Sequence, residues 1–369
     1  MKHLKSLVIA AVVIVTAAFQ VKAESQNRIL VVVSSYGEDD GKTKPGYEFS
    51  EFAKAYLVFK EHGIDIDIAS PKGGAVVADE FDKEKSFNKT VLMDKAVMDK
   101  LNNTIAISSV SANRYDGVYV VGGKGAMFDF PNDKSLQDVI VNVYEKDGVV
   151  AAVCHGPAAF VNVKLSNGNY LVDGKNVNGF TNQEEKMFGK KWIKSFDFLL
   201  QDKLIERGAK FEHAPFMLSH VAVDGRLITA QNPSSTTGSA LAMVEALGIK
   251  TKAMKKDSED ATLALVADYL SGDQVALTKL ADQSLGHQIP LVGMYGFYFS
   301  NTAKTNKTKE QALALMLVAQ DVLKNPKLDM QIAKSQKGLG KTEQAKRTLE
   351  RVLLAVPDHK GAKEMMATL

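Results

Sequence analysis

The sequence predicts a doubly wound, mainly parallel α/β sheet followed by a second, all-helical region, and three observations predict it. From Arg28 to about Gly248 short β-branched runs alternate with longer amphipathic segments, as when parallel strands are joined by crossover helices. After Lys250 strand-like runs largely disappear and lysine and alanine become common. In the first part, GVVAAVCHGPAAF (Gly148 to Phe160) ends a buried-strand pattern in Cys154, the one cysteine of 369 residues.

Residues 1–23 stand apart from either region. Lys2 and Lys5 precede an apolar run from Leu7 to Phe19, and Val21-Lys22-Ala23 offers small residues at cleavage positions, the layout of an export signal. The run is about 13 residues, short of the roughly 20 that span a bilayer. The expectation is cleavage after Ala23 and an exported protein, periplasmic in a Gram-negative cell, with no membrane attachment afterwards. The segment holds three lysines and no acid, so it accounts for the whole formal charge of +3. The remaining chain is neutral, and that balance points to neither nucleic acid nor an anionic membrane surface. With one thiol there is no internal disulfide, which leaves Cys154 as packing or as reactive chemistry.

In residues 24–250 the expected strands are Ile29 to Ser34, Ile64 to Ser70, Gly117 to Gly123, Val149 to Cys154 and Arg226 to Ala230. The expected helices run from Tyr47 to His62, stopped by Gly63, then Lys134 to Lys146, Pro157 to Lys164, Phe196 to Arg207, stopped by Gly208, and Ser234 to Leu247. In residues 251–369 the segment from Leu328 to His359 fits one tetratricopeptide-type repeat, with Ile332, Ala333, Gly340, Ala345, Leu349, Leu353 and Pro357 at suitable spacings. Glu310-Gln311-Ala312 recurs as Glu343-Gln344-Ala345. A plain helical bundle fits the same pattern. The aromatics Phe297 to Phe299 read as helix packing.

Ligands of such sheets bind at the carboxyl ends of strands, where Cys154 and the Gly122-Gly123 turn both fall. A strand that ends in Cys and turns at once into a helix has the form of a nucleophile elbow. Gly156, Ala158 and Ala159 are small enough to let that turn close, and Pro157 suits a first helical turn. The positive end of the helix is expected to favour the thiolate.

VCHGPAAF, GGKGAMFDFPND (Gly122 to Asp133), GYEFSEFAKAYLVFKEHGIDIDIASPKGG (Gly46 to Gly74) and LITAQNPSS (Leu227 to Ser235) together resemble the ThiJ/PfpI superfamily, in its branch of chaperone-like glyoxalase III proteins. The resemblance covers residues 28 to 248 and not the helical tail. It implies a flavodoxin-like, class I glutamine amidotransferase-like sheet with Cys154 as nucleophile and His155 beside it. It also implies a glutamate from the first helix against the thiol, matched by Glu51 with Glu48 as competitor. A carboxyl that close to a thiolate should stay protonated. A carboxylate after a GF(S/T) segment is expected to orient the histidine, and GFTNQEEKMFG offers Glu184 and Glu185, of which Glu185 is preferred. The oxyanion site would be the backbone N–H groups after Gly122-Gly123 and after Cys154. Many members of the branch carry Gly-Gly-His-Gly where this chain has Lys124, either a hold for an anionic substrate group or a solvated side chain.

The implied activity is conversion of methylglyoxal or related 2-oxoaldehydes to lactate without glutathione, or a related deglycase. The other readings are a stress holdase whose thiol senses oxidants, with the tail recruiting a protein partner, and a cysteine-dependent amidase or peptidase. A homodimer is compatible with each. No cofactor or metal is expected, since His62, His213, His220, His287 and His359 lack metal-ligand spacing.

Overall fold

The structure, a computed structural model, describes residues 27–37, 45–189 and 191–369. The export-signal reading of residues 1–23 lies outside the described residues. The strands are β1 (Arg28–Val32), β2 (Asp65–Ser70), β3 (Ile105–Ala106), β4 (Gly117–Val120), β5 (Val149–Val153), β6 (Asn176–Val177), β7 (Lys210–Phe211), β8 (Val221–Asp224) and β9 (Leu227–Ala230). Seven of them form one sheet in the order β3-β2-β1-β4-β5-β9-β8, parallel except where β8 runs against β9, and β6 pairs with β7 separately.

The helices of this region are α1 (Phe49–Glu61), α2 (Ser86–Met93), α3 (Lys95–Asn102), α4 (Ala126–Asp129), α5 (Lys134–Glu145), α6 (Asn182–Phe188), α7 (Leu200–Glu206) and α8 (Thr236–Ala246). The period of two along β1 sends Ile29, Val31 and Val33 to a core shared with Phe52, Phe59, Met243 and Val244, and Leu30 and Val32 to one shared with Leu136, Ile140 and Leu204. A sheet covered on both faces needs continuous apolar strands, which is why β1, β4 and β5 read so clearly in the sequence.

All five expected strands form, each ending within a few residues of its expected bounds. Four short strands have no counterpart among them, the edge strands β3 and β8 and the separate pair β6 and β7. β3 has only two residues, and β8 exposes Val223 by 53%. The helix expected from Pro157 to Lys164 is instead a five-residue 3-10 turn, Gly156–Phe160, every residue of it buried. It is too tightly wedged to extend: a Cβ on Gly156 would lie 2.5 Å from the Val120 carbonyl, and Arg207 Nε donates to Val161 O at the far end. The helix expected from Phe196 starts only at Leu200, because Phe196 and Phe198 turn inward onto the core.

The second region is all helical: α9 (Ser258–Ser271), α10 (Gln274–Ala281), α11 (Ile289–Thr302), α12 (Asn306–Leu323), α13 (Pro326–Gly338), α14 (Thr342–Ala355) and α15 (Lys360–Met366). Gly293 and Gly296 let α11 close on α12, since a Cβ on either would fall within 3.0 Å of Ala319 Cβ or Met316 N. No helix among the described residues is long and apolar enough to cross a membrane.

The two regions share a core. Phe216 stacks on Tyr295 of α11 at 5.0 Å between centroids, and Phe188 at the end of α6 meets Tyr298 edge-on at 5.7 Å. Phe216 is 2% exposed, so Phe216→Ala should cost about 3–5 kcal/mol, the usual range for a buried Phe. Urea unfolding followed by tyrosine fluorescence checks this.

Candidate active site

Cys154 follows directly on β5 with φ +60°, in the left-handed region where a non-glycine residue is strained by about 1–3 kcal/mol. Its backbone is bracketed: Cys154 N–H donates to Ala230 O and Phe180 N–H donates to Cys154 O, both at 2.8 Å. Those bonds tie the elbow to β9 on one side and to the segment before α6 on the other. The side chain is thereby turned off the strand line toward α1.

Glu51 lies in the first turn of α1, fully buried. Its Oε2 accepts from Gly122 N–H at 2.9 Å, its Oε1 is buried without a hydrogen-bond partner among the described residues, and the carboxyl lies beside the Cys154 thiol. Only glycine fits at 122, since a Cβ there would sit 2.7 Å from Glu51 Oε2 and 2.8 Å from Cys154 Cβ. Burial, with Glu48 nearby adding to it, holds the Glu51 carboxyl well above the usual range, which favours its acid form. Glu48 is half-buried and likewise raised by that burial, and its side chain accepts from Ser50 N–H at the start of α1.

His155 is 4% exposed and joins the two sides of the site. Its Nε2 lies 2.7 Å from Glu185 Oε2 and its Nδ1 3.4 Å from Cys154 Sγ. A carboxylate only accepts, so Glu185 places the ring proton on Nε2 and leaves the Nδ1 lone pair toward the sulfur. The neighbouring Glu184 points away, about 100° round the helix. It closes a capping box with Thr181 and accepts from Met217 N, Gln231 Nε2 and Asn232 Nδ2. Glu185 is thus the residue that faces the histidine, and Glu184 is a structural hub.

The expectation that a helix start favours the thiolate is overturned. A 3-10 turn of five residues aligns too few peptide dipoles, and burial, reinforced by Glu51, pushes the Cys154 thiol well up. The resting sulfur therefore keeps its proton, with the His155 Nδ1 lone pair 3.4 Å away.

Gly122 N–H is committed to Glu51, which removes it from the expected oxyanion donors. Among the described residues, the N–H groups of Gly123 and His155 donate to no protein acceptor. Lys124 is neither free nor solvated. Its Nζ lies 2.8 Å from Asp79 Oδ2, and the two side chains are 20% and 14% exposed.

Two acids escaped the sequence reading. Asp79 is one, 45 residues from Lys124 and with nothing in its neighbouring sequence to tie it to that lysine. The other is Asp129 of α4, which accepts from Ser34 Oγ and from Ser35 N–H at 2.7 Å and is pushed up to about 7 by burial. Beside His155 an aromatic group of Phe180, Phe196, Phe128 and Tyr36 continues the apolar wall. Among the described residues no cluster of His, Cys, Asp and Glu is arranged to hold a metal ion.

A parallel sheet with a buried cysteine at a strand-end elbow, a histidine held by a carboxylate and a second carboxyl facing the sulfur defines a class: α/β proteins organised around one thiol. Residues 42–246 match the DJ-1/PfpI family. The chain belongs to that family and falls in its glyoxalase III-like branch. A glutathione-independent glyoxalase of Schizosaccharomyces pombe is 34% identical over 242 residues, which span 61% of this chain and 99% of the relative. Two solved structures are similar. The Rapid Encystment Protein of 24 kDa from Francisella tularensis has a TM-score of 0.57 at 35% identity and covers 60% of this chain and 99% of its own. Glyoxalase III from Candida albicans has a TM-score of 0.55 at 31% identity and covers 60% and 97%. The family match ends before the helical region.

A buried acid that stays neutral carries a sign in its pH dependence. Glu51 supports folding fully below the ordinary carboxyl range and loses that contribution as pH rises toward its raised folded value, because the unfolded chain ionises first. Glu51→Gln, which keeps the acceptor for Gly122 N–H and cannot ionise, should therefore gain in stability relative to the parent from pH 5 to pH 8. Paired urea titrations at the two pH values check the sign.

Proposed function

We propose that the protein is a glutathione-independent glyoxalase that converts a small 2-oxoaldehyde such as methylglyoxal to the 2-hydroxy acid, here lactate. The observation that carries this reading is the chain Glu185–His155–Cys154–Glu51, which sets a base on one side of the sulfur and an acid on the other. As Sγ bonds the aldehyde carbon C1, the thiol proton passes to His155 Nδ1 and on to the new C1 oxygen, giving a hemithioacetal. His155 then takes the C1 proton while Glu51 gives its own to the C2 oxygen, and an enediol results. Return of the proton from His155 to C2, with Glu51 recovering one from the C1 hydroxyl, leaves a thioester. Water hydrolyses the thioester, regenerating the thiol. C1 is oxidised as C2 is reduced, so the cycle consumes one water and no redox partner.

The free N–H groups of Gly123 and His155 are suited to the C1 oxygen as its charge develops. Cys154 and His155 are each 4% exposed and Glu51 is fully buried, which favours a small substrate over the peptide that an amidase or peptidase would need to admit. Placement of this chemistry outside the cytoplasm remains part of the proposal and rests on residues 1–23.

Purified protein given methylglyoxal should form lactate with no glutathione present, and Cys154→Ala should form none. Glu185→Gln should lower kcat by about 10²–10⁴, the usual contribution of a positioned base, with KM little changed. Lactate production that survives Cys154→Ala, or its absence from the parent, would sink the reading.

A further inference from the structure

The helical region reaches the site through one buried ion cluster. Lys54 stands one turn after Glu51 on α1 and is 6% exposed, with its Nζ 2.7 Å from Asp260 Oδ1, 3.1 Å from Asp257 Oδ2 and 4.8 Å from the centre of the Phe87 ring. Both acids sit at the start of α9, beyond the part of the chain that matches the family. We propose that Asp257 and Asp260 are positioning residues for the Cys154 site: by holding the Lys54 ammonium they shield Glu51 from a neighbouring positive charge and keep it as the carboxylic acid that faces the sulfur.

The charges around Glu51 decide whether this matters. From its own helix it is faced by Glu48, which favours the acid form, and by Lys54, which favours the carboxylate. From β4 comes the neutral Tyr119, and from the elbow Cys154. The Lys124–Asp79 pair lies beyond Glu48, Glu184 bears on the sulfur, and the Lys85–Glu259 pair flanks the Lys54 cluster. Lys54, one turn away on the same helix, is thus a cation that favours the Glu51 carboxylate, while Lys124 bears on Glu48 and on Cys154. Against burial, which would raise it, Lys54 holds Asp257 below the usual carboxylate range, while burial pushes Asp260 up to about 7. Asp257 therefore keeps its charge and offsets Lys54 on both sides of neutrality. With both acids replaced, an uncompensated ammonium beside Glu51 would draw off its proton first, and Cys154 would then have to ionise next to a carboxylate.

The inference rests on the reading of Cys154 and Glu51 as the reacting pair, and its test needs no substrate. Cys154 is the single cysteine, so the rate of iodoacetamide alkylation against pH reports that sulfur alone. In the full chain, Asp257→Asn with Asp260→Asn should move the alkylation midpoint up by about one pH unit and slow the neutral-pH rate about tenfold, a unit of pKa being a factor of ten. Lys54→Met, which breaks the same ion pairs but removes the charge, should not raise the midpoint, and adding it to the double variant should reverse the rise. A merely structural bridge predicts that all three variants shift together, and loss of two anions alone predicts faster alkylation in the double variant. Either result, or an unmoved midpoint, overturns the proposal. Should the double variant fail to fold, Asp257→Asn alone, which removes the acid that stays charged and keeps a side chain able to cap α9, faces the same outcomes.

Discussion

The site depends on one contact, the carboxyl of Glu51 buried against the thiol of Cys154. Two groups that both ionise as anions cannot both be charged at that distance inside a core, so the pair must hold at least one proton between them. Everything placed around it serves that constraint. Gly122 gives up its side chain so that the carboxyl fits, and its N–H fixes one carboxyl oxygen. Burial and Glu48 keep the acid form. The sulfur is also held protonated at rest, and Glu185 leaves the His155 lone pair facing it.

The elbow holds its geometry against local strain. A non-glycine residue at φ +60° persists because three strand-level bonds determine it: the sheet pairing of β5, the bond from Cys154 N–H to β9 and the bond from Phe180 N–H to Cys154 O. The last of these also sets the entry to α6. The residue that strains the backbone and the carboxylate that orients its histidine are therefore placed by the same hydrogen bond.

Much of this could be read from the residues. The five central strands showed in their β-branched runs because a sheet covered on both faces leaves no polar period, and resemblance to a family carried Glu51 and Glu185 to their positions. What escaped depends on distances the chain order does not reveal. Lys124 and Asp79 are 45 residues apart and Lys54 and Asp260 are 206, so neither pair leaves a local pattern. The helix expected after Pro157 failed for a related reason. Propensity and proline placement favoured a helix, but the close approach of Gly156 to β4 left no room for more than one tight turn. With that helix went the dipole that was to stabilise the thiolate.

The helical region also takes on a different character. By sequence it was a separate appendage, yet Phe216 and Phe188 share its aromatic core and its first helix supplies the acids that hold Lys54. It packs against both carboxyl-bearing helices of the site, α1 and α6. The central claim remains the proton on Glu51, and difference infrared spectroscopy of the parent against Glu51→Gln at neutral pH tests it most directly. The account predicts a carboxylic-acid C=O stretch that is present in the parent, lost in the variant and shifted when Cys154 is alkylated. A difference spectrum showing only carboxylate bands would contradict it.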